Sequence, residues 1–272
     1  MPVKSEWVRY GDQRGYFAFP DHAALPLPAV VVIQEVFGVE EHMEDVCRRI
    51  AAAGYAALAP DLFTVGGERP AAFTRERIAE AISFMSRLPP ALRFDPATRE
   101  AELAKLPEPE RLKIKETFGK IFASAAPGGH QGYMAPLRSA VRYLRSERPE
   151  TREQKVACVG FCMGGGLSAL LACEEPELSG AAVFYGMTPP AEKASQTHCP
   201  VIAFYGAKDE RVNTGIPGYV AAMKTAHKPF EYRIYEGAGH AFFNDTTAAY
   251  EVKAARDSFA RLLAFFATAL SG

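Results

Sequence analysis

Lys155-Val-Ala-Cys-Val-Gly-Phe-Cys162-Met-Gly-Gly-Gly-Leu-Ser-Ala-Leu-Leu-Ala172 is the stretch that decides the fold. Val156 to Val159 form a continuous apolar run, the pattern of a strand covered on both faces. An abrupt turn follows at Gly160-Phe-Cys-Met-Gly164, and then an apolar helix from about Gly164 to Cys173. In this strand, bend and helix context a Gly-x-nucleophile-x-Gly pattern is informative. The bend presses the positions two before and two after the nucleophile against neighbouring backbone, so both must be small, and Gly160 and Gly164 meet that demand.

The nucleophile position holds Cys162. A thiol at the first turn of a helix faces the partial positive charge of unbonded N–H groups, which favours the thiolate. The bland alternative is a small buried hydrophobe, the role expected of Cys158 and Cys173. The motif alone leaves both readings open, and the remainder of the chain has to choose.

The 272 residues suit one large α/β domain or two small ones, and a 48% hydrophobic content is enough for a full core. Formal net charge is −1, with no basic run carrying interleaved aromatics, so nucleic acid and anionic membranes are poor partners. Met1 to Trp7 contain no apolar leader, and no window approaches 18 uninterrupted apolar residues; a soluble, cytoplasmic protein is expected. The five cysteines form no Cys-x-x-Cys pair and suggest neither a disulfide framework nor a zinc site.

Outward from the bend, residues 5–10 and 14–19 read as an opening hairpin around Gly11-Asp12, and Ala29-Val-Val-Val-Ile-Gln34 as a strand buried on both faces. Met43, Val46, Cys47 and Ile50 then repeat at helical spacing up to Gly54, and Tyr55 to Ala59 form the next strand. Strand, helix, strand at this spacing argues for a right-handed βαβ crossover. From about Thr74 to Pro127 the chain turns helical, with Ile78, Ile82 and Met85 on one face before Pro89-Pro90, and Leu112, Phe118, Ile121 and Phe122 on another. We read residues 71–131 as a helical insertion within a single domain spanning 1–272, because the strand pattern resumes beyond it. A cap over the site and a peripheral helical pair are both open. Met134, Leu137, Val141 and Leu144 mark the helix before the bend. Strand candidates at 180–186, 200–206 and 230–235 and a closing helix at about 248–270 complete the chain.

A nucleophile, acid, base order on loops at the C-terminal ends of strands is what such a fold requires of a catalytic triad. After Cys162, Asp209 in Gly206-Ala-Lys-Asp-Glu-Arg-Val212 follows one strand directly, and His240 in Glu236-Gly-Ala-Gly-His-Ala-Phe242 follows the next. Glu210 could replace Asp209 in that assignment. His22, His42, His130, His198 and His227 lack this context and read as surface or packing residues. In the chemistry, His240 would take the thiol proton and return one to a leaving alkoxide, while Asp209 fixes the imidazole tautomer. The oxyanion would need two backbone donors, worth about 3 kcal/mol each. The N–H of Met163 is one candidate, and that of Val36, in the loop after the strand at 29–34, is the other.

Taken together, Gln34-Glu-Val-Phe-Gly-Val39, Ala59-Pro-Asp-Leu-Phe63, Gly160-Phe-Cys-Met-Gly-Gly165, Phe184-Tyr-Gly186, Gly206-Ala-Lys-Asp209 and Gly237-Ala-Gly-His-Ala-Phe242 resemble the dienelactone hydrolase family. The resemblance implies an α/β-hydrolase fold, with a mostly parallel central sheet flanked by helices. It also implies hydrolysis of a small-molecule ester or lactone through Cys162, Asp209 and His240, with an acyl-enzyme intermediate. No metal or organic cofactor is implied. The family uses a glutamate at the position of Glu35 to accept the thiol proton; by chemistry alone that carboxylate could equally cap the following helix. The family enzyme grips a substrate carboxylate with two arginines, one of them four residues after the triad histidine. That position is Asn244 here, and loss of a bidentate cation should weaken carboxylate recognition by about 1.5–3 kcal/mol. Arg75 and Arg77 are candidates for the second arginine, Arg211 is a further cation, and Tyr185 is a candidate substrate contact. Three readings remain open: a dienelactone-type hydrolase, a carboxylesterase of broader specificity, and a ligand-binding protein on the same fold without turnover.

Overall fold

The computed structural model describes residues 2–89, 95–125 and 131–271. The parts of the insertion at 90–94 and 126–130, including Pro90, Pro127 and His130, lie outside the described residues, as do Met1 and Gly272. Eight strands form one sheet: β1 (Val3–Tyr10), β2 (Gln13–Pro20), β3 (Ala29–Ile33), β4 (Ala56–Pro60), β5 (Val156–Phe161), β6 (Leu178–Phe184), β7 (Val201–Gly206) and β8 (Phe230–Tyr235). Their order is β1-β2-β4-β3-β5-β6-β7-β8. The β1–β2 hairpin and the β2–β4 pair are antiparallel, and every pair from β4 to β8 is parallel.

Burial follows the sequence pattern. All five residues of β3 are fully buried. Val30 to Ile33 alone contribute about 6–12 kcal/mol of gross burial free energy, as large as the net stability of a whole domain, so this strand belongs to the core. Helices on both faces remove the sheet from water. α1 (Glu41–Ala52) and α9 (Val252–Ala269) cover one face, where Val30, Val32, Val159, Phe161 and Phe204 meet Met43, Val46, Leu262 and Phe266. α5 (Gln131–Arg142), α6 (Met163–Glu174) and α8 (Ile216–Thr225) cover the other, with Val31, Ile33, Leu137, Val141, Leu167 and Met223. This is the α/β-hydrolase architecture that the resemblance implied. Among the described residues, no helix is long and apolar enough to cross a membrane.

The insertion holds α2 (Arg75–Ser86), α3 (Pro96–Leu103) and α4 (Glu108–Ala125). Thr74 and Asp95 cap α2 and α3 by accepting backbone N–H bonds from Arg77 and Thr98. The buried faces differ from those read in sequence. Ile82 and Leu112 are exposed, and the faces that pack are Ile78, Ala81, Met85 on α2 and Ile114, Thr117, Phe118, Ile121 on α4. Ala81 and Thr117 carry these faces without a large apolar side chain: Ala81 packs in a cluster with Phe84, Met85, Ile114 and Phe118, and the Thr117 hydroxyl donates to the Ala72 carbonyl at 3.0 Å. Ile78 and Ile121 pack with Phe63 against Val36 and Phe37. The insertion therefore sits on the turn that follows β3.

Candidate active site

Three loops at the C-terminal ends of β5, β7 and β8 meet at one point. Cys162 stands between β5 and α6 with φ 55° and ψ −115°, a left-handed conformation that costs a non-glycine residue about 1–3 kcal/mol. Its surroundings over-determine that conformation. The Cys162 N–H donates to Phe184 O at 3.0 Å, and the Gly165 N–H donates to Cys162 O at 3.0 Å. A Cβ on Gly160 would lie 1.8 Å from Gly164 O, and one on Gly164 would lie 2.3 Å from Ile33 O. These contacts force glycine at both positions and press the end of β3 against the start of α6.

His240 Nε2 lies 3.1 Å from Cys162 Sγ, and His240 Nδ1 lies 2.5 Å from Asp209 Oδ2. The carboxylate that reaches His240 is that of Asp209 and not Glu210: Asp209 is buried, whereas Glu210 opens the short helix α7 (Glu210–Asn213) and is exposed. The loops carrying the pair are tied together by the Lys208 N–H donating to Ala238 O at 2.9 Å. Gly206 permits this approach, because a Cβ there would meet Ala238 O and Gly239 O at 2.7 and 2.6 Å. Burial pulls the His240 imidazole down, but the Cys162 sulfur and the Asp209 carboxylate together outweigh it and raise its pKa to about 10. Cys162 is partly exposed, while Cys47, Cys158, Cys173 and Cys199 are buried.

Glu35 and Val36 lie in the tight turn closed by the Gly38 N–H donating to Glu35 O at 3.3 Å. Glu35 does not cap α1. Its Oε1 accepts from the Tyr185 hydroxyl at 3.1 Å and its Oε2 from Asn244 Nδ2 at 2.9 Å. Tyr185 is fully buried, so the expected substrate contact is corrected to an internal one: its ring lies edge-on to His240, with centroids 5.2 Å apart. Burial, then the Glu35 charge beside it, push the Tyr185 phenol well up, which keeps it a proton donor to that carboxylate. Asn244 read in sequence only as a missing arginine; its chain order gave no hint of a carboxylate 209 residues away.

Met163 opens α6, so its N–H has no carbonyl one turn back to bond. With Gly164 against Ile33 and Gln34, the Val36 turn and the Met163 amide flank the same end of the sheet. A buried guanidinium fixes that turn from behind. Arg69 donates to Asp61 Oδ2 at 2.8 Å, Glu40 Oε1 at 2.7 Å and Val39 O at 3.0 Å. The two candidate substrate arginines, Arg75 and Arg77, are engaged within the chain. Arg75 pairs with Glu44 and lies over the Trp7 ring, and Arg77 donates to Glu116 at 3.0 Å and to the Lys113 carbonyl. Both guanidiniums tie helices to their neighbours. Among the described residues, no group of three or more His, Cys, Asp or Glu is arranged to hold a metal ion.

Comparison with known proteins places the chain in a family. The family model for the dienelactone hydrolase family matches residues 13–270. A Saccharolobus solfataricus protein named "Putative carboxymethylenebutenolidase" is 32% identical over 253 residues, covering 93% of this chain and 92% of its own. An Escherichia coli protein of the same name is 28% identical over 262 residues, covering 92% and 80%. The crystal structure of a "Putative Dienelactone Hydrolase" from Klebsiella pneumoniae superposes with a TM-score of 0.64 at 26% identity, covering 98% of this chain and 99% of that one. With its sheet order, its cysteine at the bend after β5 and a family match over nearly all its length, the chain belongs to the dienelactone hydrolase family of hydrolases.

Proposed function

We propose that the chain hydrolyses a carboxylic ester or lactone through Cys162, with His240 as acid and base and Asp209 as the group that orients it. The observation carrying this reading is the in-line relay Sγ, Nε2, Nδ1, Oδ2, with contacts of 3.1 and 2.5 Å. With both ring nitrogens protonated, Nε2–H points at sulfur and Nδ1–H at the carboxylate, an ion pair that holds sulfur as the nucleophile. Sulfur attacks the carbonyl carbon, and the resulting oxyanion accepts from the N–H groups of Met163 and Val36, together worth several kcal/mol at about 3 per donor. The intermediate collapses to a thioester as the alkoxide leaves with the Nε2 proton. A water then gives its proton to Nε2, adds to the thioester, and releases the acid as sulfur regains its resting state. Glu35, gripped by Tyr185 and Asn244, stands as the second carboxylate of the site and the acceptor for a thiol proton when Cys162 is protonated.

Hydrolysis of p-nitrophenyl acetate and of dienelactones by wild type and Cys162→Ala tests this reading. Comparable rates would rule it out, and a purified wild type inert toward every ester would favour ligand binding without turnover.

The substrate reading that the side chains favour is a neutral ester. Asn244 is neutral and engaged with Glu35, and Arg75 and Arg77 are engaged elsewhere. The His240 imidazolium is already matched by Asp209 and the sulfur, so an anionic substrate would meet the Glu35 carboxylate with no cation at position 244, 75 or 77 to offset it. Steady-state kinetics on an anionic lactone and on its methyl ester separate the two. A strong preference for the anion would defeat this assignment while leaving the cysteine mechanism intact.

A further inference from the structure

β8 ends the sheet, and among the described residues no further strand pairs with its outer edge. Within Phe230-Glu-Tyr-Arg-Ile-Tyr235, Tyr232 and Ile234 are 43% and 41% exposed, and residues 231 to 234 are all exposed. An uncovered edge with large apolar side chains is what small proteins ordinarily avoid or pair.

The hydrogen bonds to β7 say which backbone groups are free. Pro229 O accepts from the Val201 N–H at 3.1 Å, and Tyr235 O accepts from the Ala207 N–H at 3.0 Å. In a parallel ladder the N–H and C=O of one residue point to the same side and alternate residues point oppositely. Residues 231 and 233 therefore also face β7, and Phe230, Tyr232 and Ile234 present their N–H and C=O groups outward.

We propose that this edge pairs with the same edge of a second copy of the chain, antiparallel, about a two-fold axis through Tyr232. The charge pattern argues for that occupant and for that register. Centred on Tyr232, the pairing sets Glu231 opposite Arg233 of the second copy and Arg233 opposite its Glu231, and it sets Lys228 opposite Glu236. A centre one residue earlier would oppose Glu231 to itself, and one residue later would oppose Arg233 to itself, each an unfavourable like-charge pair. Centring on an even-numbered residue also makes Tyr232 with Tyr232, and Phe230 with Ile234, the pairs that exchange backbone bonds. The outward side chains of one face then join: Phe230, already stacked with Tyr232 at 5.8 Å and edge-on to Tyr219 at 5.4 Å, would continue into Ile234 of the second copy. The self-complementary surface is isologous, as a closed dimer requires.

Sedimentation velocity of the full chain over a range of concentrations tests the proposal, with circular dichroism to verify folding of each variant. Wild type should sediment at twice the chain mass. Arg233→Glu sets four carboxylates across the axis and should raise the dimer dissociation constant more than tenfold. The double swap Glu231→Arg with Arg233→Glu should restore it. Tyr232→Pro removes an outward N–H that bonds nothing in β7, so it should leave the fold intact and abolish the dimer. A wild type that stays monomeric throughout overturns the proposal. So does a dimer that survives both Arg233→Glu and Tyr232→Pro, or one lost in Arg233→Glu and not recovered by the double swap.

Discussion

Asn244 Nδ2 donates to Glu35 Oε2 at 2.9 Å, so a neutral amide holds the acidic side chain beside the Cys162, His240 and Asp209 cluster. Asn244 Oδ1 is itself fixed by the Thr246 N–H at 3.1 Å and the Thr246 hydroxyl at 2.6 Å, which sets which way the amide faces. Replacement by arginine puts a guanidinium against that carboxylate and a cation within the site. We expect Asn244→Arg to move the ratio of kcat/KM values for an anionic lactone over its neutral methyl ester upward by about 10-fold or more, the worth of a charge-assisted hydrogen bond. An unchanged ratio would mean that this position does not read substrate charge.

Removal of the proposed base should be visible at the sulfur as well as in turnover. His240→Gln keeps a side chain of similar reach and loses the proton relay, so ester hydrolysis should fall by about 100-fold to 10,000-fold. Alkylation of Cys162 by iodoacetamide near neutral pH should slow in parallel. In the native wild type one equivalent of label should enter, at Cys162, since burial pushes the Cys158 thiol up to about 12 and raises those of Cys47, Cys173 and Cys199. Peptide mass spectrometry after a limited reaction reads both outcomes.

The same imidazole links stability to pH. Its folded-state pKa, about 10, lies above its ordinary value of 6.5, so the folded chain binds the proton more tightly. The resulting stabilisation is present in full below about pH 6.5, declines as pH rises, and is gone above about 10. The Tm difference between wild type and His240→Gln should therefore shrink steadily across that interval. A difference that widens with pH would contradict the sign.

Arg69 is nearly buried, and its partner Asp61 is wholly so. Arg69→Met leaves Asp61 and Glu40 with one fewer cation and releases the Val39 carbonyl. Breaking a buried pair from one side costs about 3–5 kcal/mol, and denaturant unfolding should register a loss of that order. Because the turn it holds carries Val36, kcat should fall with little change in KM.

Much of this was legible in sequence because periodicity and order carry it. The β-branched run at 29–33, the glycines flanking Cys162, and the placement of Asp209 and His240 directly after apolar strands all signal local geometry. What escaped was of another kind. Ala81 and Thr117 line buried helix faces, yet hydropathy assigns those faces to Ile82 and Leu112. Helices Pro96–Leu103 and Ile216–Thr225 are short and poorly patterned. The bonds from Tyr185 and Asn244 to Glu35 join segments 150 and 209 residues apart, and nothing local announces them.

Phe118 and Ile121 lie far along the chain from any reacting atom, yet the packing of Ile121 and Ile78 with Phe63 reaches Val36. The helices that follow β4 thus lean on the turn that carries the Val36 amide. A substitution deep between those helices is consequently also an adjustment of the backbone at Val36, however distant it is from that turn in the chain.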